Sequence, residues 1–198
     1  MVPGPRSPTL EKVQLHADTI FLVRSFLSPR ECDQFIAVSE ALGYVDAPIT
    51  TGGGFVMRKD VRDNARVISD YPELAAHLWG RAGPFLPADW FGWSPVGFNE
   101  RWRYYRYDRG QKFDVHTDGY FERPTGERSH FTFMIYLNDG FEGGSTDFSH
   151  VRPPLKVVPE RGTALVFGHR QVHAGTPVLH GRKYVLRTDV MYRKGTPS

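Results

Sequence analysis

The hydrophobic pattern of this chain changes period near its midpoint. Before about residue 98, apolar positions recur at helical spacing in two places. Cys32, Phe35, Ile36 and Leu42 form one stripe behind Ser28-Pro-Arg-Glu31, where the serine caps, the proline takes the first turn and the glutamate closes a capping box. Gly43 is placed to end that helix, which is expected to pack against a sheet. Leu74, Leu78 and Trp79 form a second stripe behind Asp70-Tyr-Pro-Glu73, which repeats the capping logic, and Gly83-Pro84 stops it. A β-prone run over 18–24 precedes the first helix. Between the helices, Thr50-Thr-Gly-Gly-Gly54 reads as a mobile loop. Arg62, Asn64 and Arg66 alternate onto one face of an extended edge segment.

From about residue 100 the pattern shortens to β-prone runs divided by glycine and proline turns. They fall at 100–107, 112–117, 131–137, 145–149, 155–158, 163–167, 171–174 and 183–191. Such a series suits a double-sheet jelly roll, whose strand order carries distant segments across to face one another. The expected fold is therefore mainly β with N-terminal helices (α+β), a double-stranded β-helix or jelly roll with two or more supporting helices. One domain is expected over 1–198, with a loose proline-rich tail at 1–15, a helical support region at 16–98 and a jelly-roll catalytic core at 99–198.

Composition narrows the setting. A single cysteine, Cys32, excludes an intramolecular disulfide and indicates a reducing compartment. The opening Met-Val-Pro-Gly-Pro-Arg-Ser-Pro has prolines where a signal peptide needs an apolar helix, and no run approaches the ~20 apolar residues of a membrane span. A soluble, cytoplasmic protein without a membrane partner is the expectation. The net charge of +3, carried largely by arginines interleaved with acids, permits a nucleic-acid partner without indicating one. Trp90 and Trp93 read as core or loop anchors.

Candidate chemistry centres on His116 and Asp118, two positions apart on a predicted strand. Both side chains then project to one side while Thr117 turns away. Such a pair is half a metal site. Two histidines and one carboxylate on one face, with the opposite face open, is the arrangement of non-haem Fe(II) oxygenases. A bare His-x-Asp is a weak signal, and the third ligand must come from elsewhere. His173, at a strand start, and His169, in the preceding turn, compete for it, and the turn position suits a polar surface role for His169.

The wider pattern resembles the Fe(II)- and 2-oxoglutarate-dependent dioxygenases, within them the prolyl 4-hydroxylase-like branch. The matching pieces are Tyr107-x-x-Gly110-Gln-Lys-Phe-x-x-His116-x-Asp118, Phe131-Thr-Phe-Met-Ile-Tyr-Leu-Asn138, Glu142-Gly-Gly-Ser-Thr-Asp-Phe148 and His173-Ala-Gly-Thr-Pro-Val-x-x-Gly-x-Lys183. They cover about residues 100–192. The resemblance implies iron ligation by His116, Asp118 and His173, pairing of Lys183 with the distal carboxylate of 2-oxoglutarate, and a hydrogen bond to that co-substrate from Tyr107. Thr132 and Tyr136 match polar positions lining the same pocket, and Arg187, on the face of Lys183, is a second carboxylate partner. The implied reaction consumes O2, converts 2-oxoglutarate to succinate and CO2, and hydroxylates a C–H bond, with ascorbate as a reductant. The segment after the metal pair, containing Tyr120 and Arg123, is expected to overhang the site. Arg62, Arg66 and the glycine stretch at 51–54 are expected to form the facing wall for a peptide, protein or small-molecule substrate.

Two other classes are open. Arg101-Trp-Arg-Tyr-Tyr-Arg-Tyr107 interleaves cations with aromatics as a nucleic-acid groove does. The AlkB-like nucleic-acid demethylases share His-x-Asp…His, and their paired arginines are echoed by Arg187 and Arg193. A non-catalytic metal-binding jelly roll is the second. Hydrolytic zinc chemistry lacks the His-Glu-x-x-His signature here.

Overall fold

The computed structural model describes residues 9–195. Its strands and helices run, in chain order, β1 (Glu11–His16), β2 (Ile20–Arg24), α1 (Pro29–Leu42), β3 (Val45–Asp46), β4 (Ile49–Thr51), β5 (Gly54–Val56), β6 (Ala65–Asp70), α2 (Pro72–Ala82) and β7 (Trp93–Phe98). The second half continues β8 (Arg101–Tyr107), β9 (Phe113–His116), β10 (Arg128–Tyr136), β11 (Glu142–Gly143), β12 (Thr146–Phe148), β13 (Leu155–Val157), β14 (Ala164–Gly168), β15 (His173–Gly175), β16 (Val178–His180) and β17 (Lys183–Lys194). A nine-stranded sheet orders them β1-β2-β14-β10-β17-β8-β6-β3, with β7 also on β17, and a four-stranded sheet runs β13-β12-β15-β9. The two sheets are the layers of a jelly roll.

Period-2 alternation on the large sheet explains how it serves two cores at once. Phe131, Phe133 and Ile135 of β10, Trp102 and Tyr104 of β8, and Leu186 of β17 join the core on which α1 and α2 pack. Their neighbours Tyr136, Tyr105, Tyr107 and Val185 turn to the other core, shared with Phe148 and Val157 of the small sheet. Polar residues in the second set therefore lie between the sheets.

The first helix forms as its sequence dictates. Ser28 Oγ accepts from the Glu31 N–H at 3.3 Å, Glu31 Oε2 accepts from the Ser28 N–H at 2.8 Å, and Gly43 follows the last turn at φ +81°. Near its C-terminal end Glu40 takes the Arg106 guanidinium at 3.0 Å, fastening the helix to β8. Leu42, placed on the buried stripe by periodicity, is instead 54% exposed as the last residue of the helix before Gly43. The second capping box does not form. Asp70 is still the last residue of β6 and its carboxylate takes Arg101 at 2.8 Å, which leaves Tyr71 at the cap without a side-chain bond.

Other expectations for the first half need correction. The tail expected over 1–15 lies outside the described residues up to residue 8, and from Glu11 it is strand, since residues 11–14 pair with β2 in antiparallel register. The region 16–98, expected as helical support within one domain, also contributes β2, β6 and β7 to the large sheet. The glycine stretch closes a β4–β5 hairpin. Arg62 and Asn64 are not exposed edge positions but buried, and β6 lies inside the sheet between β8 and β3. Among the described residues no helix is long and apolar enough to cross a membrane.

Candidate active site

The strand pairing of β9 with β15 places His116 directly opposite His173, and Asp118 follows just beyond the end of β9. One donor atom from each of the three lies within 4.8 Å of the others. His116 Nε2 is 3.7 Å from Asp118 Oδ1, and His173 Nε2 is 3.9 Å from Asp118 Oδ2. The two rings are oriented alike. Nδ1 of His116 donates to the Asp114 carbonyl at 2.7 Å and Nδ1 of His173 to the Gln171 carbonyl at 2.9 Å, which turns both Nε2 atoms toward the carboxylate as unprotonated donors. Phe113 stacks on the His116 ring with centroids 3.6 Å apart. Burial, then the neighbouring His173, pushes the His116 imidazole down to about 4, and burial lowers His173 as well, so both rings are neutral at pH 7.

Asp118 is held as an anion. Burial alone would raise its carboxyl; the Arg187 guanidinium, 3.0 Å from Oδ2, followed by the two imidazoles and the Thr132 hydroxyl at 2.5 Å, outweighs that and holds it well below the usual carboxylate range. Arg187 in turn lies 3.5 Å from Asp189, which also takes Arg103 at 3.1 Å. Two neutral imidazoles and one fixed carboxylate are the donor set that suits a divalent metal such as Fe(II).

Beyond this triad an inner cavity runs between the sheets, lined among others by Tyr107, Thr132, Thr146 and Phe167, with Lys183 inside it. Lys183 is 3% exposed and lies opposite Tyr107 in the β17–β8 register. Its ammonium donates to the Gly144 carbonyl at 2.6 Å and sits 5.3 Å and 5.5 Å from the ring centroids of Tyr107 and Tyr136. Burial pulls the amine down to about 7, with Asp147 acting the other way. A cation so placed fits an anionic group brought into the cavity. Tyr136 is fully buried and gives its hydroxyl to Thr146 at 2.8 Å.

Expected site residues outside the cavity divide. Arg62, Arg66 and Tyr120 line the outer cleft over His116 and Asp118, with Ile49 of the β4–β5 hairpin beside them. Arg123 does not reach it. Its guanidinium is taken by Glu100 and Glu127, each at 2.6 Å, because both acids face the turn that carries it. His169, expected at the surface, is buried and lies 3.8 Å from Asp189, since the turn folds its backbone onto Asp118, whose N–H donates to the His169 carbonyl at 3.0 Å. Trp90 packs edge-on against Phe131, the anchoring role expected of it, and Trp93 against His130. Tyr105, Thr146 and Asp189 were not singled out from sequence. Tyr105 is two positions before Tyr107 and Asp189 two after Arg187, so alternation marks both as facing the site.

A jelly roll holding two histidines and a carboxylate above a cation-bearing cavity is an arrangement that resembles the sites of non-haem Fe(II) oxygenases. Residues 102–188 match the model of the 2OG-Fe(II) oxygenase superfamily. Prolyl 4-hydroxylase 1 of Arabidopsis thaliana is 25% identical over 205 residues, covering 89% of this chain and 70% of the relative. The same fold occurs in the viral collagen prolyl hydroxylase of Paramecium Bursaria Chlorella virus-1, solved as a 2OG complex (TM-score 0.62, 22% identity, 87% of this chain and 96% of that one). It also occurs in a prolyl hydroxylase of Trichoplax adhaerens in complex with a hypoxia inducible factor peptide (TM-score 0.65, 17% identity, 88% and 84%). Over residues 102–188 the chain is thus similar to the 2OG-Fe(II) oxygenase superfamily, and the relatives and neighbours named here are prolyl hydroxylases.

Proposed function

We propose that this chain is an Fe(II)- and 2-oxoglutarate-dependent hydroxylase acting on a prolyl or other amino-acid-like group of a peptide, protein or small molecule. The observation that carries the reading is the convergence of His116, Asp118 and His173 at the mouth of a cavity whose buried cation is Lys183. In it His116, Asp118 and His173 hold the iron. Lys183 faces the distal carboxylate of 2-oxoglutarate, with Tyr107 and Thr132 lining the same cavity. Arg187 has a different part from the second carboxylate partner expected of it. Bound to Asp118 and close to Asp189, it keeps the metal-binding carboxylate ionised and oriented.

The metal and 2-oxoglutarate supply the oxidising chemistry that activates O2. The chain's own residues position and protect. Neutral Nε2 donors offer lone pairs at pH 7, the Lys183 ammonium offsets the desolvation of an anion, and the apolar walls of Phe113, Met134 and Phe167 keep bulk water from the reacting centre. Location in the cytoplasm is part of this proposal, supported by the lone buried thiol of Cys32.

The nucleic-acid alternative is disfavoured by β8. Trp102 and Tyr104 lie in the core beneath the helices, while Tyr105 and Tyr107 face inward between the sheets, so β8 presents no exposed row of aromatics on which a strand of bases could stack. Arg193 is engaged with Glu127, far from the pairing of Arg187 with Asp118.

The test is anaerobic loading with Fe(II) and 2-oxoglutarate, then oxygen, with prolyl peptides and free amino acids as candidates. Succinate formed together with a product heavier by one oxygen atom is the expected result. Metal uptake without succinate from any candidate would instead make this a non-catalytic metal-binding jelly roll.

A further inference from the structure

The outer cleft carries a charge the proposed reaction does not use. It shares His116, Asp118, Tyr105, Phe113 and Arg187 with the inner cavity, and its wall adds Arg62, Arg66 and Arg103. Four arginines there meet two carboxylates, Asp118 and Asp189. Those carboxylates are committed to Arg187 and Arg103. Arg62 is held by neutral partners, the Tyr105 phenol and the Asn64 amide, and by no carboxylate that pairs with it among the described residues. It is only 6% exposed, its guanidinium lies between the Tyr105 and Phe113 rings at 4.6 Å and 4.5 Å, and its Nε donates to the neutral Asn64 side chain at 2.7 Å. Its Nη2 is buried and donates to nothing among the described residues. A guanidinium taken out of water without an anion is costly, and aromatic faces offset only part of that.

The surroundings respond to the buried charge of Arg62. Burial, joined by the charges of Arg62 and Arg103, holds Arg66 below its ordinary range. Burial would raise the Tyr105 phenol, yet Arg62, Arg187 and Arg103 together bring it down to about 8. The carboxylate of 2-oxoglutarate does not answer this need, because Lys183 faces it deeper in the fold. Resting on the function proposed above, we infer that the substrate is recognised by a carboxylate of its own, bound by Arg62 and Arg66 in the outer cleft. An amino-acid-like substrate carries such a group within a few bonds of the C–H to be oxidised, matching a cationic wall that adjoins the metal triad. The carboxylate has two sources: the α-carboxylate of a free amino acid, or an acidic side chain next to the oxidised residue in a peptide.

The test is calorimetric titration of the Mn(II)- and 2-oxoglutarate-loaded protein with matched pairs. L-proline is set against L-prolinamide, and an end-blocked Asp-Pro-Gly peptide against its Asn-Pro-Gly counterpart. The carboxylate member of one pair is expected to bind about tenfold tighter, with a preference that weakens in salt, and the pair that responds names the source. Arg62→Gln and Arg66→Gln should each reduce the preference to about threefold or less, and Arg66→Lys should retain most of it. Should Arg62→Gln fail to fold, the half-buried Arg66 decides alone. Equal binding in both pairs, no binding in either, a preference that survives Arg66→Gln, or tighter binding of a phosphoserine peptide would overturn the inference. Succinate formation by the iron-loaded wild type separates the two levels. Its absence removes the hydroxylase reading, whereas succinate without carboxylate preference removes only this one.

Discussion

Arg187 Nη2 lies 3.0 Å from Asp118 Oδ2, so the carboxylate facing two imidazoles on one side is tied to a guanidinium on the other. Both groups are nearly removed from water, and the pair converts a strand-end aspartate into a fixed anion. Replacing Arg187 with Met should leave the three donors in the chain but release Asp118 from its orientation. Mn(II) affinity is expected to fall by about 10- to 100-fold, the range for loss of a partner that orients a metal ligand. Arg187→Lys, which keeps charge without the fork, should fall between. Unchanged affinity in Arg187→Met would show that Thr132 alone suffices.

Lys183 gives the binding of 2-oxoglutarate a pH dependence of definite sign. In the free cavity burial brings the amine to about 7, with Asp147 opposing and the Tyr107 and Tyr136 rings facing it. A bound carboxylate favours the charged form and raises that value. Affinity should therefore be flat below pH 7 and weaken above it, by at most about tenfold per pH unit. Calorimetry on the Mn(II)-loaded protein between pH 6 and 9 checks this, and Lys183→Met should bind weakly with no such slope. Stability of the ligand-free fold runs the other way. The unfolded chain keeps this proton up to its ordinary 10.5, so unfolding free energy should rise with pH between 7 and 10.5.

The common face of His116 and Asp118 was legible from a short-range rule, whereas His173 and Lys183 were expected only from the resemblance of four ordered motifs, and the structure brings all four residues to one cavity. His-x-Asp at strand period fixes one face, and the strands of the second half are bounded by glycine and proline. Arg187 was visible as a cation on the right face, but its partner was not, since Asp118 follows β9 of the small sheet and meets β17 of the large sheet only where the two layers face each other. The same limit hid the strand character of residues 11–16 and 65–70. Their short alternations mean little until β14 and β8 supply the edges on which β2 and β6 pair. Arg123 failed for a comparable reason, because Glu100, which captures it, comes from the opposite end of the sheet connection.

Two glycines should respond to alanine with opposite signs. A Cβ on Gly162 would stand 2.2 Å from the Leu27 carbonyl oxygen, at a φ of +79°. That turn also donates to Tyr136 and accepts from Leu27 at 2.8 Å and 3.0 Å, so it cannot easily move aside. Gly162→Ala is expected to lose about 1–3 kcal/mol or more. Gly80 sits within α2 with open space around its missing Cβ, and Gly80→Ala should gain about 0.5–1 kcal/mol from the helix preference alone. Urea melts of both variants decide the matter, and a neutral Gly162→Ala would mean that the turn is not held as described.

Metal binding should stabilise the fold through its three donors and not through Lys183. A ligand that binds only the folded chain adds about 2.7 kcal/mol at a hundredfold excess over its dissociation constant, enough to raise the melting temperature of a chain this size by several degrees. Mn(II) should produce that rise in wild type, and a chelator should remove it. His173→Ala deletes one donor on a strand whose pairing with β9 is made by backbone, so it should fold yet lose the shift. Lys183→Met touches none of the donors and should keep it. Asp118→Ala is expected to behave differently from both. It removes a donor and also strips Arg187 of its nearest anion, leaving Asp189 at 3.5 Å as the remaining carboxylate beside a buried guanidinium. Its metal-free melting temperature should therefore drop below that of His173→Ala, and adding Arg187→Met to it should recover part of the loss. A metal-induced shift that persisted in His173→Ala would place the ion elsewhere on the protein and dissolve the link between this triad and the proposed chemistry.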